Sequence, residues 1–294
     1  MIFPPRLRPG DRLAVVAPAG PVPREAFASG IARLADRYRL DFSDALFSRD
    51  GYLAGDDERR AAELNAALQR DKIRAVLCAR GGYGIMRILP SLAFADPKPI
   101  VGFSDVTALH AACFAKGTIS LHGPTLTHLG TLSPTHTDEL IALLESPSPP
   151  PPWTGLDPLS PGRATGCAIG GNLELCAALV GTPWAFPLDG NVLFVEEVGE
   201  RPYRIDRSLT QLELAGARRL AAVVVGELVR CSEPDGCGPS AVQVLVERAR
   251  RWGVPTVGNA PFGHGDRNRP FPLGAPVTVD GDRGSVTFLK GAVA

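Results

Sequence analysis

Apolar residues in the first 120 or so positions come in short unbroken runs, separated by stretches where they recur every three or four residues. The run at 13–17, "LAVVA", stops at Pro18 and predicts a buried parallel strand. Residues 24–38 place Phe27, Ile31 and Leu34 on one helical face, and residues 40–47 follow as a second strand. Asp56 or Asp57 is a helix cap for a segment reaching about Arg70, with Ala62, Leu64, Ala67 and Leu68 as its apolar members. Further strands are expected at 73–78, 99–103 and 118–122, with a helix at 105–116 between the last two. Strands alternating with helices need right-handed crossovers, which build a parallel sheet.

The pattern then breaks. The stretch "ESPSPPPPWTGLDPLSPG", 145–162, holds seven prolines and reads as a semi-rigid linker that is neither helix nor central strand. It divides the chain into an N-terminal α/β domain at 1–144 and a C-terminal domain at 163–294. In the second part, "CAIGG" precedes a helix at 172–180, a strand is expected at 192–195, and an amphipathic helix near 205–214. Residues 219–225 are strongly β-prone, and "APVTVDGDRGSVTFL" reads as two short strands joined by a glycine-containing turn.

Composition narrows the function classes. Hydrophobic residues are 45% and charged residues 21% of the 294, ordinary for a globular protein, and the formal net charge is zero. That balance points to no polyanionic partner such as nucleic acid. The longest strongly apolar run, near Val223, is far short of a membrane span. Arg6, Arg8 and Arg12 ahead of "LAVVAPA" imitate a secretory leader, but the five-residue apolar run is shorter than the ~7–15 that a leader core needs. Four of the six cysteines lie in apolar segments, and the spacing of Cys231 and Cys237 fits no usual zinc pairing. Reduced thiols and a cytoplasmic location are the expectation.

Chemistry concentrates at the ends of the expected strands, where open α/β sheets carry their sites. In "GFSD", Gly102 permits a sharp turn and Ser104 stands where strand gives way to helix. Such an elbow exposes a nucleophilic Oγ; equally, a serine there serves as a helix cap. "ARGGYG", 79–84, follows the third strand, and its glycines can turn amides inward as an anion nest or simply make a tight turn. Glu196 and Glu197 end a hydrophobic strand and point to opposite faces, so one can turn inward. The plainer alternative is a solvated strand end paired with Arg201, Arg204 or Arg207. His264 lies between two glycines in "GHGDRN", where little core is available to it and an imidazole suits general-base work. In chain order the candidates run Ser, Glu, His: nucleophile, orienting carboxylate, base.

The set "ARGGYG", "GFSD", "FVEEVGERPYRIDRSLTQL" and "GHGDRN", with "YLAGDDERRAAELNAAL" and "GGNLELC", resembles the LD-carboxypeptidase family of serine peptidases, which includes the microcin C immunity proteins. The resemblance implies an α/β fold: an N-terminal parallel-sheet nucleophile domain and a C-terminal domain with a mixed β core, with the active site between them. It implies a triad of Ser104, Glu196 and His264, with Glu197 and the more distant Glu200 as rivals for the acid. The backbone amides of Asp105 and Gly82, or the neighbouring Gly81, would form the oxyanion hole. No metal or other cofactor is called for. The implied substrate is the muropeptide tetrapeptide, cut between an L-centre (meso-diaminopimelate or L-lysine) and terminal D-alanine during peptidoglycan recycling. Arg80, Arg204 and Arg207 are candidates for a substrate carboxylate, because arginine presents a bidentate fork. The partner is thus a small peptide, with no nucleic acid and no membrane, and the resemblance implies a homodimer.

Two other readings stay open. The immunity branch hydrolyses peptidyl- or aminoacyl-nucleotides and needs an aromatic group to stack the base, for which Trp153, Trp184 and Trp252 are available. A two-lobed small-ligand binding protein would use Ser104 and the glycine loop only to hold an anion. Cysteine chemistry at Cys78 is a weaker idea, since apolar residues flank it.

Overall fold

A computed structural model describes residues 1–233, 236 and 238–294, and Cys237 lies outside the described residues. The chain forms two compact units, Met1–Ser148 with Arg269–Pro272 and Gly291–Ala294, and Pro149–Asn268 with Leu273–Lys290. In chain order the elements are β1 (Arg12–Val16), α1 (Arg24–Leu34), β2 (Arg39–Asp41), α2 (Asp57–Gln69), β3 (Ala75–Cys78), α3 (Ile85–Ile88), β4 (Ile100–Gly102), α4 (Thr107–Ala115), β5 (Ser120–His122), α5 (Leu126–Leu129) and α6 (Pro134–Glu145). They continue with β6 (Asp157–Ser160), β7 (Arg163–Asn172), α7 (Leu173–Ala178), β8 (Val192–Val198), α8 (Pro202–Leu214), β9 (Ala222–Val229), α9 (Ala241–Trp252), β10 (Thr256–Gly258), β11 (Phe271–Leu273), β12 (Pro276–Asp280) and β13 (Ser285–Phe288).

The first sheet runs β11-β5-β4-β3-β1-β2. The pairs β1·β2, β1·β3, β3·β4 and β4·β5 are all parallel. Helices cover both faces of such a sheet, which is why β3 and β4 are buried at every position. Helix α2 starts where the Asp56 carboxylate accepts from the Arg59 N–H at 2.7 Å, a cap contributing about 1 kcal/mol. Its buried face is Arg60, Ala61, Leu64, Ala67 and Leu68, so Ala61 takes the inward place expected of Ala62.

Several expected elements are shorter. The helix expected to reach Tyr38 stops at Leu34, because the Arg37 guanidinium and the Tyr38 hydroxyl turn to the Glu145 carboxylate. The second strand is only Arg39–Asp41. Its remaining aromatics, Phe42 and Phe47, pack edge-on to Phe27 at 4.8 and 4.9 Å rather than joining the sheet. The helix after Ser104 begins as a 3-10 turn, Ser104–Val106, before α4 proper.

The second sheet runs β13-β12-β7-β8-β9-β10-β6 and is mixed. The strands β7, β8, β9 and β10 are parallel, while β6, β12 and β13 pair antiparallel. Its core holds an aromatic cluster in which Trp153 stands 6.0 Å from Phe262 and 5.0 Å from Phe288.

That cluster corrects the expected linker. Residues 145–162 supply the buried Trp153, whose backbone pairs with Val286, and the strand β6, an edge position where Pro158 costs no ladder bond. The 163–294 segment is also not one continuous domain, since Arg269–Pro272 and Gly291–Ala294 belong to the first unit and β11 extends the first sheet. Helix α9, not anticipated, opens on a capping box between Ser240 and Gln243 and ends at Gly253 in the left-handed region.

Candidate active site

In the first unit, β4 delivers the chain to Ser104 with Gly102 tucked against Val106; a Cβ on Gly102 would come within 2.8 Å of that side chain. Ser104 itself has φ +65°, left-handed backbone that a non-glycine residue adopts at a cost of about 1–3 kcal/mol. Neither the 3-10 turn nor α4 has a side-chain cap. The geometry is that of a half-buried hydroxyl on a strained strand-to-helix elbow rather than of a capping serine.

The glycine loop lies directly against this elbow. A Cβ on Gly81 would sit 2.8 Å from Ser104 Cβ and 2.9 Å from its Oγ, and one on Gly82, at φ +119°, would meet the Gly20 backbone at 3.0 Å. The loop is held from three sides. Gly20 N–H donates to Gly81 O at 3.0 Å. The Asp105 carboxylate, almost wholly buried, accepts from Ile85 N–H at 2.9 Å. The fully buried Arg60 donates Nη1 to Pro18 O at 2.6 Å and to Gly84 O at 2.9 Å while pairing with Asp57. Burial pushes the Asp105 carboxyl up to about 6.

In the second unit, β8 ends with two neighbouring glutamates that face opposite ways. The pairing of β8 with β9 slips register between Val195 and Glu197, a bulge that re-aims the strand end. Glu196 is fully buried and its Oε2 lies 2.6 Å from His264 Nδ1. That bond fixes the imidazole with its proton on Nδ1 and Nε2 as the proton acceptor. Glu197 instead accepts from Asn172 Nδ2 at 2.8 Å, Glu174 N–H at 3.0 Å and Val198 N–H at 2.9 Å, tying β8 to the start of α7. Burial pushes its carboxyl up to about 7. Glu200 pairs with Arg204. Of the three glutamates, the structure therefore joins Glu196 to the histidine.

A residue that no sequence motif marks holds the loop next to the histidine. Glu227, on β9, accepts from Gly265 N–H at 2.7 Å and from Arg267 Nε at 3.2 Å, and Arg267 in turn donates to Asn259 at 2.7 Å. The glycines beside His264 follow from this contact: a Cβ on Gly265 would stand 2.5 Å from Glu227 Oε2, and one on Gly263 would stand 3.0 Å from Glu227 Cβ. An acid in a β-prone "VVVGELV" run was the available signal.

The other candidates have different places. Arg204 is exposed and held by Glu200, and Arg207 is exposed on the same helix α8. Arg80 is exposed beside Gly81 and donates to Pro21 O at 2.6 Å. Trp153 is core, and Trp252 is mostly buried with its Nε1 on Glu213, so neither is free to stack a base. Cys78 is fully buried and its thiol is raised well above its usual range, which rules out an activated thiolate. His110 is buried between Ser120 Oγ and Gly102 O, both at 2.9 Å, with its pKa depressed to about 4 by burial. Among the described residues no group of three or more His, Cys, Asp or Glu side chains is arranged to hold a metal ion, and no helix is long and apolar enough to cross a membrane.

Comparison with known proteins covers both units. Residues 13–123 match the family model of the LD-carboxypeptidase N-terminal domain, and residues 165–279 match that of the C-terminal domain. The chain is 40% identical to protein SCO6489 of Streptomyces coelicolor, with all of this chain and 98% of that protein covered. It is 34% identical to the murein tetrapeptide carboxypeptidase of Pseudomonas aeruginosa, with 92% and 94% covered. The crystal structure of muramoyltetrapeptide carboxypeptidase from Oxalobacter formigenes superimposes with a TM-score of 0.85 at 29% identity, covering 96% of this chain and 99% of that one. The microcin C7 self-immunity protein MccF of Escherichia coli is 26% identical, with 93% and 91% covered.

Proposed function

Since the chain belongs to the LD-carboxypeptidase family, we propose that it is a serine carboxypeptidase cleaving the bond between an L-centre diamino acid and the terminal D-alanine of muropeptide tetrapeptides. The observation that carries the chemistry is the 2.6 Å bond from buried Glu196 to His264, in a protein that also strains the backbone of Ser104. A carboxylate spent on orienting an imidazole, and a hydroxyl held on an elbow, are the parts of acyl transfer.

In this mechanism His264 Nε2 takes the Ser104 proton as Oγ attacks the peptide carbonyl carbon. The tetrahedral oxyanion is stabilised by the backbone N–H groups of Asp105 and Gly82, with Gly81 as the neighbouring alternative. Each such donor lowers the barrier by about 3–4 kcal/mol. Glu196 stabilises the imidazolium. His264 then returns the proton to the leaving amine as the C–N bond breaks and D-alanine departs. Water, deprotonated by the same imidazole, releases the acyl group from Ser104. The glycine at 81 is what lets the loop lie against Oγ, and Asp105 and Arg60 hold that loop in place.

The role this implies is recycling of cell-wall peptides in the cytoplasm by a homodimer. The free thiols of all five described cysteines suit a reducing compartment. Light scattering at micromolar concentration tests the dimer.

The test of function compares two substrates, L-Ala-γ-D-Glu-meso-diaminopimelate-D-Ala and an aminoacyl sulfamoyl adenosine, with wild type and Ser104→Ala. The reading predicts D-alanine release by the wild type and none by the variant. Cleavage of the nucleotide analogue alone would assign the chain to the immunity branch instead, and binding without cleavage of either would make it a ligand-binding protein.

A further inference from the structure

An open cavity of about 570 Å³ in the first unit is lined by Gly20, Gly82 and the side chains of Arg49, Arg80, Tyr52 and Tyr83. Gly82 is the link to the chemistry, for it follows the residue that lies against Ser104. The two arginines come from separate loops, and one nitrogen of each is anchored on backbone: Arg80 Nη1 on Pro21 O at 2.6 Å, Arg49 Nε on Gly51 O at 3.1 Å. Neither forms an ion pair among the described residues, and no acidic side chain lines the cavity. In the same unit Arg37, Arg59, Arg60, Arg70 and Arg87 all have a carboxylate within 4 Å. Tyr52 and Tyr83 meet edge to face at 5.7 Å, and both are at least half exposed. Two guanidinium groups in an acid-free cavity make a receptor for a carboxylate, and flanking tyrosine rings suit the short aliphatic chain that carries it.

We propose that the Arg49–Arg80–Tyr52–Tyr83 cavity is the subsite for a free carboxylate of the peptide substrate, so that Arg49, which no motif singled out, sets specificity together with Arg80. The inference rests on the proposed function for its ligand. The tetrapeptide carries three free carboxylates: on D-glutamate, on the side arm of meso-diaminopimelate, and on the terminal D-alanine.

The experiment uses the parent tetrapeptide and three analogues, each with one carboxylate converted to the carboxamide. Binding is measured calorimetrically on Ser104→Ala, alone and combined with Arg49→Gln, Arg80→Gln or both. Turnover of the parent is measured on wild type and on the arginine variants. Both arginines are exposed, so the variants are expected to fold, and a thermal melt checks it. One amidation should weaken binding about tenfold, and the position at which it does so identifies the carboxylate. Either arginine substitution should weaken the parent by a similar factor and erase the discrimination at that position, raising KM with kcat little changed. Equal binding of all four peptides to Ser104→Ala, or unchanged discrimination in the double arginine variant, would overturn the subsite. Arginine-dependent binding with no D-alanine release by the wild type would overturn the proposed function and leave the subsite standing.

Discussion

The Ser104 elbow and the His264 loop are built by different means. At the elbow, backbone does most of the work: a left-handed serine, Gly102 and Gly81 at close approach, and a glycine loop whose carbonyls and amides are held by Gly20, Asp105 and Arg60. At the histidine, distant side chains do it. Glu196 on β8 orients the ring and Glu227 on β9 holds the next peptide N–H, each from well upstream in sequence. An added Cβ disturbs either loop, at Gly81 or at Gly265, whereas neutralising a single carboxylate, Glu196, should disable only the histidine. The two regions should therefore break under different kinds of substitution.

The largest effect is expected at the nucleophile. Ser104→Ala should lower kcat on the tetrapeptide by about 10⁶, as loss of a nucleophile does in serine peptidases, with the fold intact by circular dichroism. Next come the paired glutamates. Glu196→Gln should lower kcat by about 10⁴ through the wrong imidazole tautomer. Glu197→Gln should lower kcat less than tenfold and instead reduce the melting temperature, since one amide oxygen cannot serve all three of its donors. Equal losses of kcat in the two variants would remove the distinction between them.

Smaller effects separate the two ways of building. Gly81→Ala should lower kcat about 10²-fold with little change in stability, because its Cβ displaces the loop from Ser104. Glu227→Gln should lower kcat roughly tenfold with KM unchanged, as one oxygen still accepts from Gly265; a fall in melting temperature without a kcat effect would mark Glu227 as structural only.

A last effect is on stability against pH rather than on turnover. The Asp105 carboxyl titrates near 6 when folded, against an ordinary 3.8. From about pH 4 to 6 the unfolded chain has lost this proton and the folded one keeps it. Stability accordingly falls as pH rises through that window, by about 3 kcal/mol at most, and the loss is complete above it. Asp105→Asn retains an acceptor for Ile85 N–H and removes the titration. Chemical denaturation at pH 4.5 and 7.5 should show the variant's stability relative to wild type rising between the two, by about 2 kcal/mol.

What was legible in the sequence follows the same division. The parallel strands, the Asp56 cap and the elbow at Ser104 are local, and their signals lie within a few residues. The alternation of strand faces also limited Glu196 and Glu197 to opposite sides. Which of them reaches His264 depends on the bulge between β8 and β9, and no local pattern encodes a register slip. Arg60 reads as one more surface arginine of a charged helix, yet it is fully buried, because the carbonyls it satisfies come from two other loops. Seven prolines in residues 145–162 exclude helix and central strand and so suggest a linker, but an edge strand and a tryptophan bridging to β13 remain compatible with them.

The proposed mechanism requires Ser104 to be activated by the Glu196–His264 pair. Intact-protein mass spectrometry after incubation with a fluorophosphonate tests this in wild type, Ser104→Ala and His264→Ala. A single adduct, mapped to Ser104, is expected in the wild type and none in either variant. An unlabelled wild type, or equal labelling of His264→Ala, would contradict that mechanism.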